Sequence, residues 1–305
     1  MLIGFVSEAA TPSAGSMGRG VFYTIKHLSG CYILLGSSKV QRFAHPGVLD
    51  LMLKKKVLTA YKLFSEGGVK NVYDYSWVRL QVLAKGHRNE VRLDRCTFNL
   101  EGIADPSTRI DLITRRYEAP ERRLIARHIR RDLPVVELGG SMGVVACVTN
   151  KLLKDPTAHV VVEANPVAIP LLELNKQLNG CKFEILNRAV AYGVDSVTFR
   201  PSSNLCESSI IVAGDQAAVT VEATQLSAVV RNRGFGRFNL VCDIEGLERD
   251  LVCNEPEAVK NADVIIMETH ARLIGEDQVL LMMSRLEQLG FRTIEKTGFV
   301  VVLRQ

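Results

Sequence analysis

No apolar stretch of this 305-residue chain reaches the ~18 residues that a membrane-crossing helix requires, so no spanning helix is expected. The opening segment, Met1-Leu-Ile-Gly-Phe-Val-Ser-Glu8, lacks a basic lead, and its apolar run is too short for a secretory signal. A cytoplasmic protein is the expectation. CxxC pairs are missing too: Cys31, Cys96, Cys147, Cys181, Cys206, Cys242 and Cys253 stand far apart, mostly inside apolar runs. That pattern argues against a disulfide framework or a zinc site and for cysteines that act as small hydrophobes. Aromatic residues make up only 6% and do not interleave with the basic ones, as a base-stacking platform would require. Nothing repeats at a solenoid period.

What is present is uneven. Residues 1–131 carry 22 Lys and Arg against 11 Asp and Glu, a net of +11, whereas residues 132–305 carry 16 against 22, a net of −6. The basic part either meets an anionic partner, such as nucleic acid, a nucleotide-sugar or a membrane surface, or is a solvated face. Residues 1–85 read as an extension with a helix over 48–66, and Met52-Leu-Lys-Lys-Lys56 looks like a translation start. Residues 86–305 read as one domain. Val91 to Leu100 alternates like a strand pair around a turn, and a helix follows from Glu118 to Arg130, with Leu124, Ile125 and Ile129 on its apolar side.

From Pro134 the chain alternates strand and helix. Strands are expected at 134–138, 159–163, 182–187, 238–243, 263–268, 291–295 and 299–303. Helices are expected at 142–154, 166–179, 225–232, 247–253 and 275–289. Such alternation builds a mostly parallel sheet with helices on both faces. An insertion at 189–224 reads as a hairpin or two. The last two strands lie only Lys296-Thr-Gly298 apart, so they form an antiparallel hairpin at the sheet edge. A seven-stranded Rossmann-like sheet closed in this way is the pattern of class I methyltransferases.

The first strand runs into Glu137, and Gly139, Gly140 and Gly143 follow before a helix begins. Glycines there let the backbone turn tightly and let a ligand approach it. The next strand ends in Glu163, where an acid holds the ribose hydroxyls of a nucleoside. A dinucleotide fingerprint needs Gly-x-Gly-x-x-Gly, but its middle position here is Ser141. The spacing Glu-x-Gly-x-x-x-Gly suits S-adenosylmethionine instead, with Glu137 near the amino group of the methionine part and the Gly139–Gly143 backbone beneath it. At the third strand end, Asn187 is placed to meet the adenine edge and Ala189 leaves room for the base; a plain Asn turn is the other reading. The fourth strand ends in Asp243, with Glu245 and Glu248 beyond. Asp243 and Glu245 could orient an acceptor hydroxyl or take its proton, while Glu248 equally suits a helix N-terminus. His270, two residues past Glu268 at the fifth strand end, is a candidate general base. The spacing does not demand a metal.

Tyr117-Glu118, Val135-Val-Glu-Leu-Gly-Gly-Ser-Met-Gly143, Asn187-Arg-Ala-Val190, Val197-Thr-Phe199, Asp243-Ile-Glu-Gly-Leu-Glu248 and Ile266-Met-Glu268 follow one another in order. Together they resemble the FkbM family of S-adenosylmethionine-dependent methyltransferases over roughly residues 90–303. The family usually has Asp where this chain has Glu137, and Gly-Ala-Asn where it has Gly139-Gly-Ser141. The resemblance adds Glu118 to the cofactor site. It implies O-methylation of a sugar, glycan or natural-product hydroxyl, with Asp243, Glu245 and His270 as the catalytic set. The alternative is an RNA methyltransferase that grips its substrate with the basic N-terminal region.

Overall fold

The structure is a computed structural model. It describes three short strands at 23–26, 32–35 and 40–41, and residues 89–101, 103, 106–199 and 219–305. The helix expected over 48–66 and the start expected at Met52 lie outside the described residues. Two compact units divide the chain, residues 1–73 and 74–305. In the first, β1 (Tyr23–Lys26), β2 (Tyr32–Leu35) and β3 (Val40–Gln41) pair antiparallel in sequence order.

The second unit opens with a hairpin, β4 (Glu90–Leu93) and β5 (Cys96–Asn99), and two helices, α1 (Pro106–Ile113) and α2 (Ala119–His128). Leu124 and Ile125 of α2 are buried and Arg123 and Arg127 are exposed, so the basic side of this helix faces solvent. Then come β6 (Val135–Leu138), α3 (Val144–Asn150), β7 (His159–Val162), α4 (Ile169–Leu178) and β8 (Glu184–Leu186). Short strands β9 (Ala189–Val190), β10 (Ser196–Phe199) and β11 (Val219–Thr224) follow. The rest is α5 (Leu226–Arg233), β12 (Phe238–Cys242), α6 (Glu248–Asn254), α7 (Pro256–Lys260), β13 (Ala262–Glu268), α8 (Ala271–Ile274), α9 (Glu276–Gln288), β14 (Arg292–Thr297) and β15 (Val300–Arg304).

The main sheet has the order β14-β15-β13-β12-β6-β7-β8, in which only β15 runs against the others. This is the class I methyltransferase fold, Rossmann-like with an antiparallel C-terminal hairpin. The residues dictate it. Strands β6, β7 and β12 are apolar at nearly every position and buried throughout, as parallel strands covered on both faces must be. Val136, Leu138, Val160 and Val162 pack one face against α5, α6 and α9. Val135, Val241 and Ile266 pack the other against Leu124 and Ile125.

Among its described residues, the 189–224 insertion pairs β10 antiparallel with β11 and adds β9 parallel to β11. The helices α1, α7 and α8 lie outside those expected from periodicity; α7 and α8, of 5 and 4 residues, are too short to show an apolar stripe. Asparagines suture the β4–β5 hairpin to α4: Asn175 Oδ1 accepts from Asn99 N at 2.9 Å, and Asn179 Oδ1 from Thr97 N at 2.7 Å.

Candidate functional site

Strand order reverses between β6 and β12, which are neighbours although far apart in the chain. Open α/β sheets bind ligands outside the carboxyl ends of their strands at such a switch point. A cleft of about 730 Å³ lies there, lined by the strand-end residues of β6, β7, β12 and β13, by β9 and by the corner before α2.

The glycine turn fixes one wall. Gly139 has φ +90°, and a Cβ on it would stand 1.7 Å from the Asp243 carbonyl oxygen. Only glycine lets the β6 turn lie this close to the β12 turn. Gly143 has φ +84°, and a Cβ there would strike Leu172 Cδ1 at 2.5 Å. It serves the packing of α3 on α4 and does not line the cleft. Neither does Glu137. Strand parity turns its side chain under the sheet, where it is almost wholly buried and its Oε2 lies 3.3 Å from His159 Nε2. Burial pushes its carboxyl up and His159 draws it back down.

Glu163, at the end of β7, does line the cleft. The Ser141 N–H donates to its Oε2 and the Asn165 N–H to its Oε1, both at 2.6 Å. Burial pushes this carboxyl up, against the pull of those amides. Asn187 is not in the lining. Its Nδ2 donates to the Glu163 carbonyl at 2.8 Å and the Ala164 carbonyl at 3.2 Å, so it holds the strand end that presents Glu163. Ala189 is buried in the cleft wall. Glu118 lines the cleft from a left-handed corner, φ 46°. That corner is held by the buried Arg122, which donates to the carbonyls of Tyr117 (2.9 Å) and Arg115 (2.8 Å) and pairs with Asp94. Burial, then Glu121 and Asp243, push the Glu118 carboxyl well up.

The turn after β12 and the end of β13 bring Asp243, Glu245 and His270 together. His270 Nε2 lies 3.4 Å from Asp243 Oδ1 and 3.5 Å from Glu245 Oε2. On the other side of the ring, Nδ1 lies 2.9 Å from Oε1 of Glu248, which is fully buried. Glu248 also accepts from the N–H groups of Ile244 and Gly246, both at 3.0 Å. Burial works against a charge on His270, but Glu248, Asp243 and Glu245 outweigh it and hold the imidazole up at about 9. The ring is therefore cationic at neutral pH. Burial and the nearby Glu268 push Asp243 well up, while His270 opposes them. From the sequence Glu248 suits the cleft and a helix N-terminus equally; an acid five residues past a strand-end Asp is the signal it offers.

Asp243, Glu248 and His270 place ligand-type atoms within 4.8 Å of one another. Glu248 is already engaged by the His270 ring and two backbone amides, and no cation is assigned here. The cleft suits a cationic adenosyl cofactor on its own terms. Asp243 Oδ1 is shielded from solvent without a hydrogen bond, the Glu118 carboxyl faces the same space, and Val162, Ala189, Val190 and Leu247 give an apolar wall beside Glu163. No helix among the described residues is long and apolar enough to cross a membrane.

No family model and no curated protein matches the chain. Solved structures with a similar chain path include a ribosomal protein L11 methylase from Lactobacillus delbrueckii subsp. bulgaricus, at 15% identity over 62% of this chain and 77% of that one, TM-score 0.37. A precorrin-6y C5,15-methyltransferase from Geobacter metallireducens GS-15 is similar at 12% identity over 62% and 88%, also with TM-score 0.37. At these values the likeness carries no weight for function.

Proposed function

We propose that this chain is an S-adenosylmethionine-dependent O-methyltransferase of FkbM type acting on a hydroxyl of a sugar, glycan or natural-product small molecule. One observation carries the reading: the nucleoside-type acid Glu163 and the Asp243–His270–Glu245 cluster open into the same cleft. When bound, S-adenosylmethionine supplies a methyl carbon made electrophilic by its sulfonium.

The chain's own residues do the rest. Glu163, its carboxyl fixed by backbone amides at the cleft wall, is the group placed to hold the ribose diol. Glu118 and Asp243 face the positive charges of the methionine part. An alcohol is a poor nucleophile until it loses its proton. Asp243 and Glu245 are the groups placed to take that proton, because His270 already carries one at neutral pH. The imidazolium opposes the burial and the Glu268 charge that push the Asp243 carboxyl up.

The excess of base in residues 1–131 favours a second reading, an RNA acceptor. Against it stands the excess of acidic over basic side chains in the cleft lining, Glu118, Glu163, Asp243, Glu245, Asp250 and Glu268 against Arg188 and Arg272.

The test is calorimetric titration of the full chain with S-adenosylmethionine and S-adenosylhomocysteine, repeated on Glu163→Ala. Micromolar binding is expected, with at least a tenfold loss in the variant, because hydrogen bonds to a charged carboxylate contribute ~1.5–3 kcal/mol each. A folded protein that binds neither ligand overturns the reading. Salt-dependent binding and methylation of RNA would replace the small-molecule acceptor.

A further inference from the structure

Glu248 is the one acid of the Asp243-Ile-Glu-Gly-Leu-Glu248 motif that the proposed chemistry leaves unused. It begins α6, yet it is fully buried, faces no solvent and does not line the cleft. Its carboxylate collects three donors: the Ile244 and Gly246 amides and the His270 ring. A surface acid serving a helix dipole needs none of these contacts. The imidazole is thereby clamped edge-on, with one nitrogen turned inward and the other open to the two strand-end carboxylates.

We propose that Glu248 is a positioning residue: as the buried carboxylate of a Glu248–His270 dyad it fixes the ring with Nδ1–H toward the interior and Nε2 toward Asp243 and Glu245 in the cleft. The bond made by one ring nitrogen decides which nitrogen carries the proton of the neutral ring. The dyad makes Nε2 the single nitrogen that exchanges protons with the cleft. In its cationic form the ring opposes the upward push on the Asp243 carboxyl, and in its neutral form the Nε2 lone pair itself faces the cleft. The catalytic part of this inference rests on the methyltransferase reading, and the dyad itself does not.

The charged groups around the ring are Asp243 and Glu245 from the turn after β12, Glu248 from α6, Glu268 from β13, Arg272 from α8 and Glu118 from the corner before α2. None but Glu248 touches Nδ1 among the described residues.

The full chain is labelled with 15N-histidine, and the His270 ring signals are identified by their absence from His270→Asn. The expected wild-type result is a midpoint near 9, with Nδ1 protonated on both sides of it. Glu248→Gln keeps an acceptor for the backbone amides but loses the charge, and it lowers the midpoint by at least one pH unit. Glu248→Asp lowers it by less. A neutral wild-type ring protonated on Nε2 overturns the proposal without any variant, and so does an unchanged midpoint in folded Glu248→Gln. Failure to bind S-adenosylmethionine would sink the methyltransferase reading and leave this titration standing.

Discussion

Glu121 sits one turn into α2 with its carboxyl against that of Glu268. Burial first, then Glu268, push it up to about 7, against the pull of its backbone contact. A buried acid that holds its proton above its unfolded value near 4.5 binds more protons folded than unfolded between those pH values. The folded state is therefore favoured below 4.5 and loses that advantage as pH rises through 7. Glu121→Gln keeps a donor for Glu268 and carries no charge to bury. Its urea midpoint should match wild type near pH 4.5 and exceed it at pH 8, by about 1–3 kcal/mol in stability. Equal midpoints at both pH values would show that the pair is solvated. Neither this pair nor the Glu137–His159 pair was legible in the sequence. A strand that is apolar on both faces gives no parity by which to decide where one acid points. Glu137 reads as a cleft residue and is found under the sheet.

The strand–turn–helix element around Gly143 shows what a sequence does announce. Glycine spacing, an apolar run on either side and an acid at the next strand end made the β6–α3–β7 unit readable. The role of each glycine needed coordinates, since only they show Leu172 against Gly143 and the Asp243 carbonyl against Gly139. Gly143→Ala adds a methyl where Leu172 stands and forces a left-handed residue, a combined cost of about 2–4 kcal/mol. A fall in thermal midpoint of several degrees is expected, and a variant as stable as wild type would mean that α4 yields freely. Asn187 shows the opposite failure. Its partners are backbone carbonyls of another loop, and backbone partners leave no trace in residue identity. That Asp243, Glu245 and His270 lie at one end of the sheet is readable because apolar runs mark strand ends whatever the side chains then do.

Over the whole molecule, the alternation of strand and helix after Pro134 dictated a mostly parallel sheet with helices on both faces, whereas the order of its strands is a property of the fold that alternation leaves open. The short closing hairpin dictated its antiparallel edge, because no helix fits between β14 and β15. Residues 74–305 contain the main sheet and the clusters packed on both its faces. A chain cut to 74–305 should fold with a cooperative thermal transition and keep S-adenosylmethionine affinity within about threefold of the full chain, a difference of ~0.7 kcal/mol. Loss of the transition on circular dichroism would place part of the core's support in the first unit. The touching of Gly139 and the Asp243 carbonyl has a consequence for inheritance. The two motifs lie far apart in the gene, yet they share one backbone contact with no slack for a side chain. A recombinant that drew its glycine turn from one ancestor and its acidic turn from another would have to match at that point. A change at either motif that adds bulk or shifts the backbone is therefore felt at the other.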